Sequence, residues 1–365
     1  MSHIDKFLRK GISSLKAYIP GKPIEDVQAE LGLSDVAKLA SNETPIGPSP
    51  MAVEAAHREL AKINLYPEGP ATVLRNKMAR RLSIEPEMIT FSNGADNCLT
   101  LVSNAFIDEG DEVVMAEPTF SCYQTLTVIM GGRPVQVKLR NLTHDLDAML
   151  AAVTKKTKLV FVCNPNNPTG TIVKRSDLER FISRLPGHVL LVLDEAYFEF
   201  ASDHDYPDSV EYIKKGMNVI GLRTFSKIYG IAGLRIGYAL GSSEFIGALN
   251  KVREPFPVSR IAQAAALAAL DDDDYRAAVL KNNEEGKAYL MGEFERMGLP
   301  FAPSQTNFIF VDLKMDCRQA FDSILRKGII IRPGHIWNSP TCARVTIGTM
   351  DQNRKFIRAL EECRG

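Results

Sequence analysis

From residue 88 onward the chain alternates short apolar runs with amphipathic stretches. Met88–Ser92, Asp111–Ala116, Pro134–Leu139, Lys158–Cys163, Val189–Leu193, Asn218–Leu222 and Ile236–Leu240 are apolar over strand length. Helical spacing of apolar residues appears between them, as in Ala95–Ile107 and Asp177–Ser183, and ahead of them over 51–62 and 70–83. Continuous apolar strands alternating with helices predict an α/β fold, with a large, mostly parallel sheet covered by helices on both faces. Beyond residue 250 the rhythm changes. Ser259–Leu270 and Asp274–Met297 read as long helices. Strands follow at Asn307–Asp312, Gly328–Arg332 and Arg344–Ile347, with helices at Cys317–Lys327 and Asp351–Cys363. This predicts a smaller C-terminal α/β domain. Residues 1–35 are mixed, carry turn signals at Pro20-Gly21 and Lys22-Pro23, and read as an N-terminal arm. The expected division is therefore arm 1–35, large domain 36–250 and small domain 251–365. Val36–Ala40 is short enough for one strand, and Ser41–Pro50 holds too many prolines and glycines for helix or central strand. Such a segment is either a linker or the lip of a site.

Composition narrows the function classes. The 365 residues are 45% hydrophobic and 24% charged, with 44 basic and 44 acidic side chains, so the net charge is zero. Nothing in that balance favours nucleic acid or an anionic membrane surface. Six scattered cysteines form no CxxC pair, which argues against zinc, and no metal is expected. A chain long enough for a large core does not need disulfides, so reduced thiols and a cytoplasmic location are expected. No apolar run approaches membrane-spanning length, and the first residues lack an apolar leader. The acidic run Asp271–Asp274 reads as a solvated helix cap.

The chemistry-bearing residues fall where the strands end, which is where open parallel sheets bind ligands. Thr224-Phe-Ser-Lys-Ile-Tyr-Gly-Ile-Ala-Gly-Leu-Arg-Ile-Gly237 puts Lys227 after two hydroxyls, Thr224 and Ser226, with Arg235 eight residues on. A lysine acting as a covalent amine beside anion-binding groups fits pyridoxal phosphate held as a Schiff base. Val189–Leu193 runs into Asp194-Glu-Ala-Tyr197. A carboxylate at the end of a buried strand needs a partner, and a protonated pyridine nitrogen would be one; a helix N-cap is the alternative. Lys158–Cys163 runs into Asn164-Pro-Asn-Asn-Pro-Thr-Gly170, a stiff turn that would aim Asn167. Tyr197 and Asn167 are candidate donors to the cofactor's ring oxygen. Asn93-Gly-Ala-Asp96 opens a helix whose first-turn N–H groups suit a phosphate. In Glu117-Pro-Thr-Phe-Ser-Cys-Tyr123, Phe120, with Tyr123 second, could stack on a flat ring, or serve as core packing.

These strings, with Tyr66-Pro-Glu and Gly233-Leu-Arg-Ile-Gly, occur in an order and spacing that resembles the fold-type I pyridoxal-phosphate aminotransferases over essentially the whole length. The resemblance implies that Lys227 is the Schiff-base lysine and proton shuttle, Asp194 the pyridine partner, and Tyr197 and Asn167 the ring-oxygen donors. It puts Phe120 in the stacking place, where relatives often carry tyrosine. Gly94, Ala95, Asp96, Thr224, Ser226 and Arg235 take the phosphate cup. Tyr66 resembles a tyrosine that reaches the phosphate from a neighbouring subunit, which implies a homodimer.

Within that family the resemblance is strongest to histidinol-phosphate aminotransferases. It rests on Tyr18-Ile-Pro-Gly-Lys-Pro-Ile-Glu, Leu39-Ala-Ser-Asn-Glu-Thr-Pro-Ile-Gly-Pro-Ser-Pro, Thr306-Asn-Phe, Ile331-Arg-Pro-Gly and Arg344-Val-Thr-Ile-Gly-Thr. Thr44 departs from the more usual Asn-Glu-Asn-Pro. The implied reaction transfers the amino group of L-histidinol phosphate to 2-oxoglutarate, giving imidazole acetol phosphate and L-glutamate in histidine biosynthesis. Tyr18, Asn42, Asn307, Arg332 and Arg344 become the substrate candidates, the arginines because a guanidinium fork pairs with phosphate and carboxylate alike. His335 and Trp337 read as loop residues of the same region. An aminotransferase for aromatic amino acids, and more remotely a decarboxylase of a phosphorylated amino acid, would keep the same cofactor residues.

Overall fold

The computed structural model describes residues 3–17 and 21–364. After β1 (Ala37–Lys38) comes a seven-stranded sheet built from β2 (Ile89–Ser92), β3 (Glu112–Glu117), β4 (Arg133–Lys138), β5 (Thr157–Cys163), β6 (Leu190–Asp194), β7 (Val219–Thr224) and β8 (Gly237–Leu240). Their spatial order is β2-β8-β7-β6-β5-β3-β4. β8 runs antiparallel to both neighbours, and the other pairings are parallel. Every residue of β6 and β7 is buried, which is why these strands read as unbroken apolar runs. Strand alternation divides them between two cores. Val160, Val162, Leu191 and Leu193 join the core on one face, whereas Leu159, Phe161, Leu190 and Val192 join the core on the other.

The small domain holds β9 (Phe308–Asp312), β10 (Ile329–Ile330), β11 (Arg332–Pro333) and β12 (Cys342–Thr346). β11, β12 and β9 form an antiparallel sheet in that order, and β10 pairs with β1. The core divides elsewhere than at residue 250. Val258, Ala262, Ala266, Ala269, Tyr275 and Val279 are buried with the large sheet. Leu290 and Phe294, further along the same helix Asp273–Arg296, are buried with the small domain, as are Ala37 and Leu39. One long helix therefore crosses from one core to the other, and periodicity cannot reveal which core each turn serves. The expected arm also contains a helix, Ile24–Leu31, whose Val27 packs with Ala40 and Ile330.

The acidic run is a cap, but its key member is not solvated. Asp272 is buried, accepts the Tyr275 N–H at the start of the long helix, and accepts the Ser49 hydroxyl at 2.5 Å. Ser49 in turn caps the helix Pro50–Leu60. The two helix starts are thereby tied together, close to the 41–50 segment.

Candidate active site

The C-terminal ends of β5, β6 and β7 deliver their polar residues into one cavity of about 620 Å³. Asp194 ends β6 and is buried. Its Oδ2 accepts the Tyr123 hydroxyl at 2.6 Å and its Oδ1 accepts the Ala196 N–H at 3.1 Å. Burial raises its pKa to about 6 despite these two donors. Tyr123 is not a ring-stacking candidate. It lies flat on Phe161, with centroids 4.6 Å apart, and is committed to Asp194. Phe120 meets Tyr123 edge-on and faces the cavity, as a stacking residue must.

Lys227 follows β7 and points back into the cavity, where its Nζ donates to the Ser41 carbonyl at 3.2 Å. Burial, reinforced by the nearby Arg344 cation, lowers its pKa to about 8. Beside it the Thr224 hydroxyl donates to Ser226 Oγ at 3.0 Å and accepts the Ser226 N–H. Arg235, at a positive φ of 53°, folds over Gly94, and a Cβ at Gly94 would stand 2.7 Å from its guanidinium. Gly237 is equally required, since a Cβ there would lie 2.4 Å from the Ala95 nitrogen, at the start of the helix Ala95–Phe106. Thr224, Ser226, Arg235 and that helix start thus converge as an anion cup. The Asp96 carboxylate faces Arg235 at 3.6 Å, so its contribution to an anion comes through its backbone N–H.

The opposite wall belongs to the small domain and the 41–43 segment. Arg344 donates to Asn167 Oδ1 at 2.6 Å and to the Ala40 carbonyl at 2.5 Å. That leaves the Asn167 amide N–H groups for the cavity. Arg332 stands directly across the strand pair from Arg344, and both guanidinium groups are buried in the cavity wall. Tyr197 Oη accepts the Asn42 Nδ2 at 2.8 Å.

The profile of the class I and II aminotransferases matches residues 34–360. The chain belongs to the class I and II aminotransferases. It is 51% identical to the histidinol-phosphate aminotransferase of Moorella thermoacetica over 97% of this chain and 92% of that one. The corresponding figures for that of Caldicellulosiruptor saccharolyticus are 45%, 97% and 99%. Among solved structures it resembles the histidinol-phosphate aminotransferase of Sinorhizobium meliloti in complex with pyridoxal-5'-phosphate, at 32% identity and a TM-score of 0.89, covering 98% and 97% of the two chains.

In this aminotransferase the cavity gathers Ala95, Asp96, Phe120, Asn167, Asp194, Tyr197, Thr224, Ser226, Lys227 and Arg235, together with Asn42, Arg332 and Arg344. Asn307 does not reach it. Its Nδ2 donates to the Asn42 carbonyl from behind the wall. Trp337 packs edge-on against Phe310 and under the Arg344 guanidinium, and His335 faces Cys317, so neither lines the cavity. Tyr66 is 79% exposed and stacked on Phe256, away from this chain's own cavity. Tyr18 lies outside the described residues. Sequence reasoning missed Tyr123 as the partner of Asp194, and Ser41, Glu43, Cys122 and Cys163 as wall residues. A local signal existed only for Ser41 and Glu43, which sit in the breaker-rich segment. No helix among the described residues is long and apolar enough to cross a membrane.

Proposed function

We propose that this aminotransferase uses pyridoxal 5'-phosphate to move the amino group of L-histidinol phosphate to 2-oxoglutarate, giving imidazole acetol phosphate and L-glutamate in histidine biosynthesis. The donor set fits the cofactor. A buried carboxylate, a half-buried lysine, two aimed hydrogen-bond donors, an aromatic face and an anion cup surround one cavity of suitable size. When bound, pyridoxal phosphate supplies an aldehyde for the amine and a ring that accepts the electron pair released at the substrate carbon. Thr224, Ser226, Arg235 and the backbone at 94–96 would hold the phosphate. Asp194 would keep the ring nitrogen protonated, and Tyr197 and Asn167 would donate to the ring oxygen. With its pKa lowered to about 8, Lys227 is neutral in a useful fraction near physiological pH and carries the proton at the reacting carbon.

The observation that carries the substrate reading is the facing pair Arg332 and Arg344 in the cavity wall. Two guanidinium forks in one wall suit anions, a phosphate monoester in one half-reaction and the glutamate carboxylates in the other. The names of the relatives support histidinol phosphate as the amino donor. Tyr66, exposed beside Phe256, supports a homodimer in which it completes the partner's phosphate site. Cysteines that are all unpaired support a cytoplasmic setting. The test is the amino-donor profile with 2-oxoglutarate as acceptor. Histidinol phosphate should exceed phenylalanine in kcat/KM. A preference for phenylalanine, or release of carbon dioxide without any keto acid, would replace this reading by an aromatic aminotransferase or a decarboxylase.

A further inference from the structure

The resemblance makes Asn42 a substrate contact, yet its polar groups are spent inside the wall. Its backbone N–H donates to Thr346 Oγ at 3.0 Å, and its carbonyl accepts the Asn307 amide at 3.0 Å. The Thr346 hydroxyl donates to Asn42 Oδ1 at 2.9 Å, and Asn42 Nδ2 donates to Tyr197 Oη at 2.8 Å. All four residues are buried. The directions follow from one fixed point. A backbone N–H can only donate, so Thr346 Oγ is its acceptor, and the hydroxyl proton turns to the Asn42 side chain. The reverse amide orientation would leave that buried proton without an acceptor, at a cost of about 1–3 kcal/mol. Asn42 therefore presents a donor to Tyr197. A phenol oxygen that receives a hydrogen bond there keeps its own proton for the cavity, which Tyr197 lines.

We infer that Asn42, oriented by Thr346, is a positioning residue that makes Tyr197 a hydrogen-bond donor toward the cofactor's ring oxygen. This rests on the reading of Tyr197 given above. Arg344 and Thr346 alternate along β12 and so share one face. Arg344 orients Asn167 and Thr346 orients Tyr197 through Asn42. One strand of the small domain thereby sets both donors, and the donors are correctly aimed only when that domain is seated against the large one. Asn42 also adopts a positive φ of 57°, a conformation that asparagine and aspartate tolerate better than other side chains.

That tolerance supplies the test. Asn42→Asp keeps shape and backbone but offers Tyr197 an acceptor, which draws the phenol proton away from the cavity. A donor to the ring oxygen stabilises negative charge there, so losing it moves the pH midpoint of the bound cofactor's visible absorption upward, by about one unit. The holoenzyme, Asn42→Asp, Thr346→Val and Tyr197→Phe are compared by that midpoint and by equilibrium binding of pyridoxal phosphate to the cofactor-free protein. Asn42→Asp and Tyr197→Phe should shift the midpoint alike and weaken cofactor binding about fivefold; Thr346→Val should shift it less. The carboxylate of Asn42→Asp also raises the midpoint by its charge, so the uncharged Thr346→Val separates the roles: a purely structural role would lower its melting temperature and leave its midpoint unmoved. If Tyr197→Phe shifts it and both other variants do not, the inference about Asn42 is wrong and the reading of Tyr197 stands. If Tyr197→Phe itself has no effect, both fall. Should Asn42→Asp not fold, the shift in Thr346→Val decides.

Discussion

Asp194 is buried with two donors, and burial still holds its pKa at about 6. A folded-state pKa above the unfolded value means that the folded chain binds the proton more tightly. The stability this group contributes is therefore complete below the unfolded pKa and is lost as pH rises through about 6. At neutral pH the cofactor-free protein carries an ionised buried carboxylate that costs about 3 kcal/mol. An asparagine in its place would keep the Ala196 hydrogen bond without that charge. Asp194→Asn should raise the urea midpoint of the cofactor-free protein at neutral pH, have little effect in acid, and weaken cofactor binding. A variant less stable than its parent at neutral pH would show that the carboxylate is not strained. At this scale, Asp194, Asn167 and Lys227 were legible because each sits in a short string at a strand end, where local geometry follows from local sequence. The role of Tyr123 was not legible, because its bond to Asp194 joins residues 71 positions apart, and no spacing rule reports such a contact. Asn42 and Thr346 are 304 positions apart.

At the ends of β6 and β7 the residues next to the cavity-lining ones turn away from the cavity. Glu195 follows Asp194, Arg223 precedes Thr224, and the two form a buried ion pair at 2.8 Å. Ser209 adds its N–H and hydroxyl to Glu195, Asp208 accepts from Arg223 at 2.5 Å, and the Phe198 ring lies 3.6 Å from the guanidinium. This layer clamps the two strand ends that carry Asp194 and Lys227. Removing one member leaves a buried charge without its counter-ion. Arg223→Leu should destabilise the protein by about 3–5 kcal/mol, and adding Glu195→Leu should recover much of that. Denaturant unfolding of the three variants measures it; equal loss in the single and double variants would mean that packing, and not charge, holds the strand ends. The strands of the large sheet were legible to within a residue or two, the central ones because both their faces are buried, whereas Gly328–Arg332, expected as one strand, is two, β10 paired with β1 and β11 with β12. The helix Cys122–Ile129, which carries Tyr123, was not legible, because about two turns of chain give too little periodicity to separate it from loop.

At the scale of the whole molecule, the two-domain plan was legible and its boundary was not. The helix Asp273–Arg296 serves both cores, and β1 near the start of the chain pairs with β10 near its end. The cavity lies where these parts meet, so Arg332 and Arg344 come from one body and Lys227 and Arg235 from the other. Ile63, Leu65, Tyr66 and Phe256 leave apolar surface exposed near one another in sequence or contact. In a homodimer, a Tyr66→Ala subunit mixed with a Lys227→Ala subunit would restore one intact site per hybrid. Activity should reappear after subunit exchange, although neither parent is active alone. Mixed preparations as inactive as their parents would count against a shared site.

Amino-group transfer through one cavity lined by Lys227 and paired arginines is tested most directly by a single turnover. Cofactor-loaded protein is mixed with histidinol phosphate and no keto acid, and after removal of the small molecules 2-oxoglutarate is added. One equivalent of imidazole acetol phosphate per site should form in the first step and one of glutamate in the second, with neither from Lys227→Ala. Carbon dioxide in the first step, or no glutamate in the second, would contradict the account.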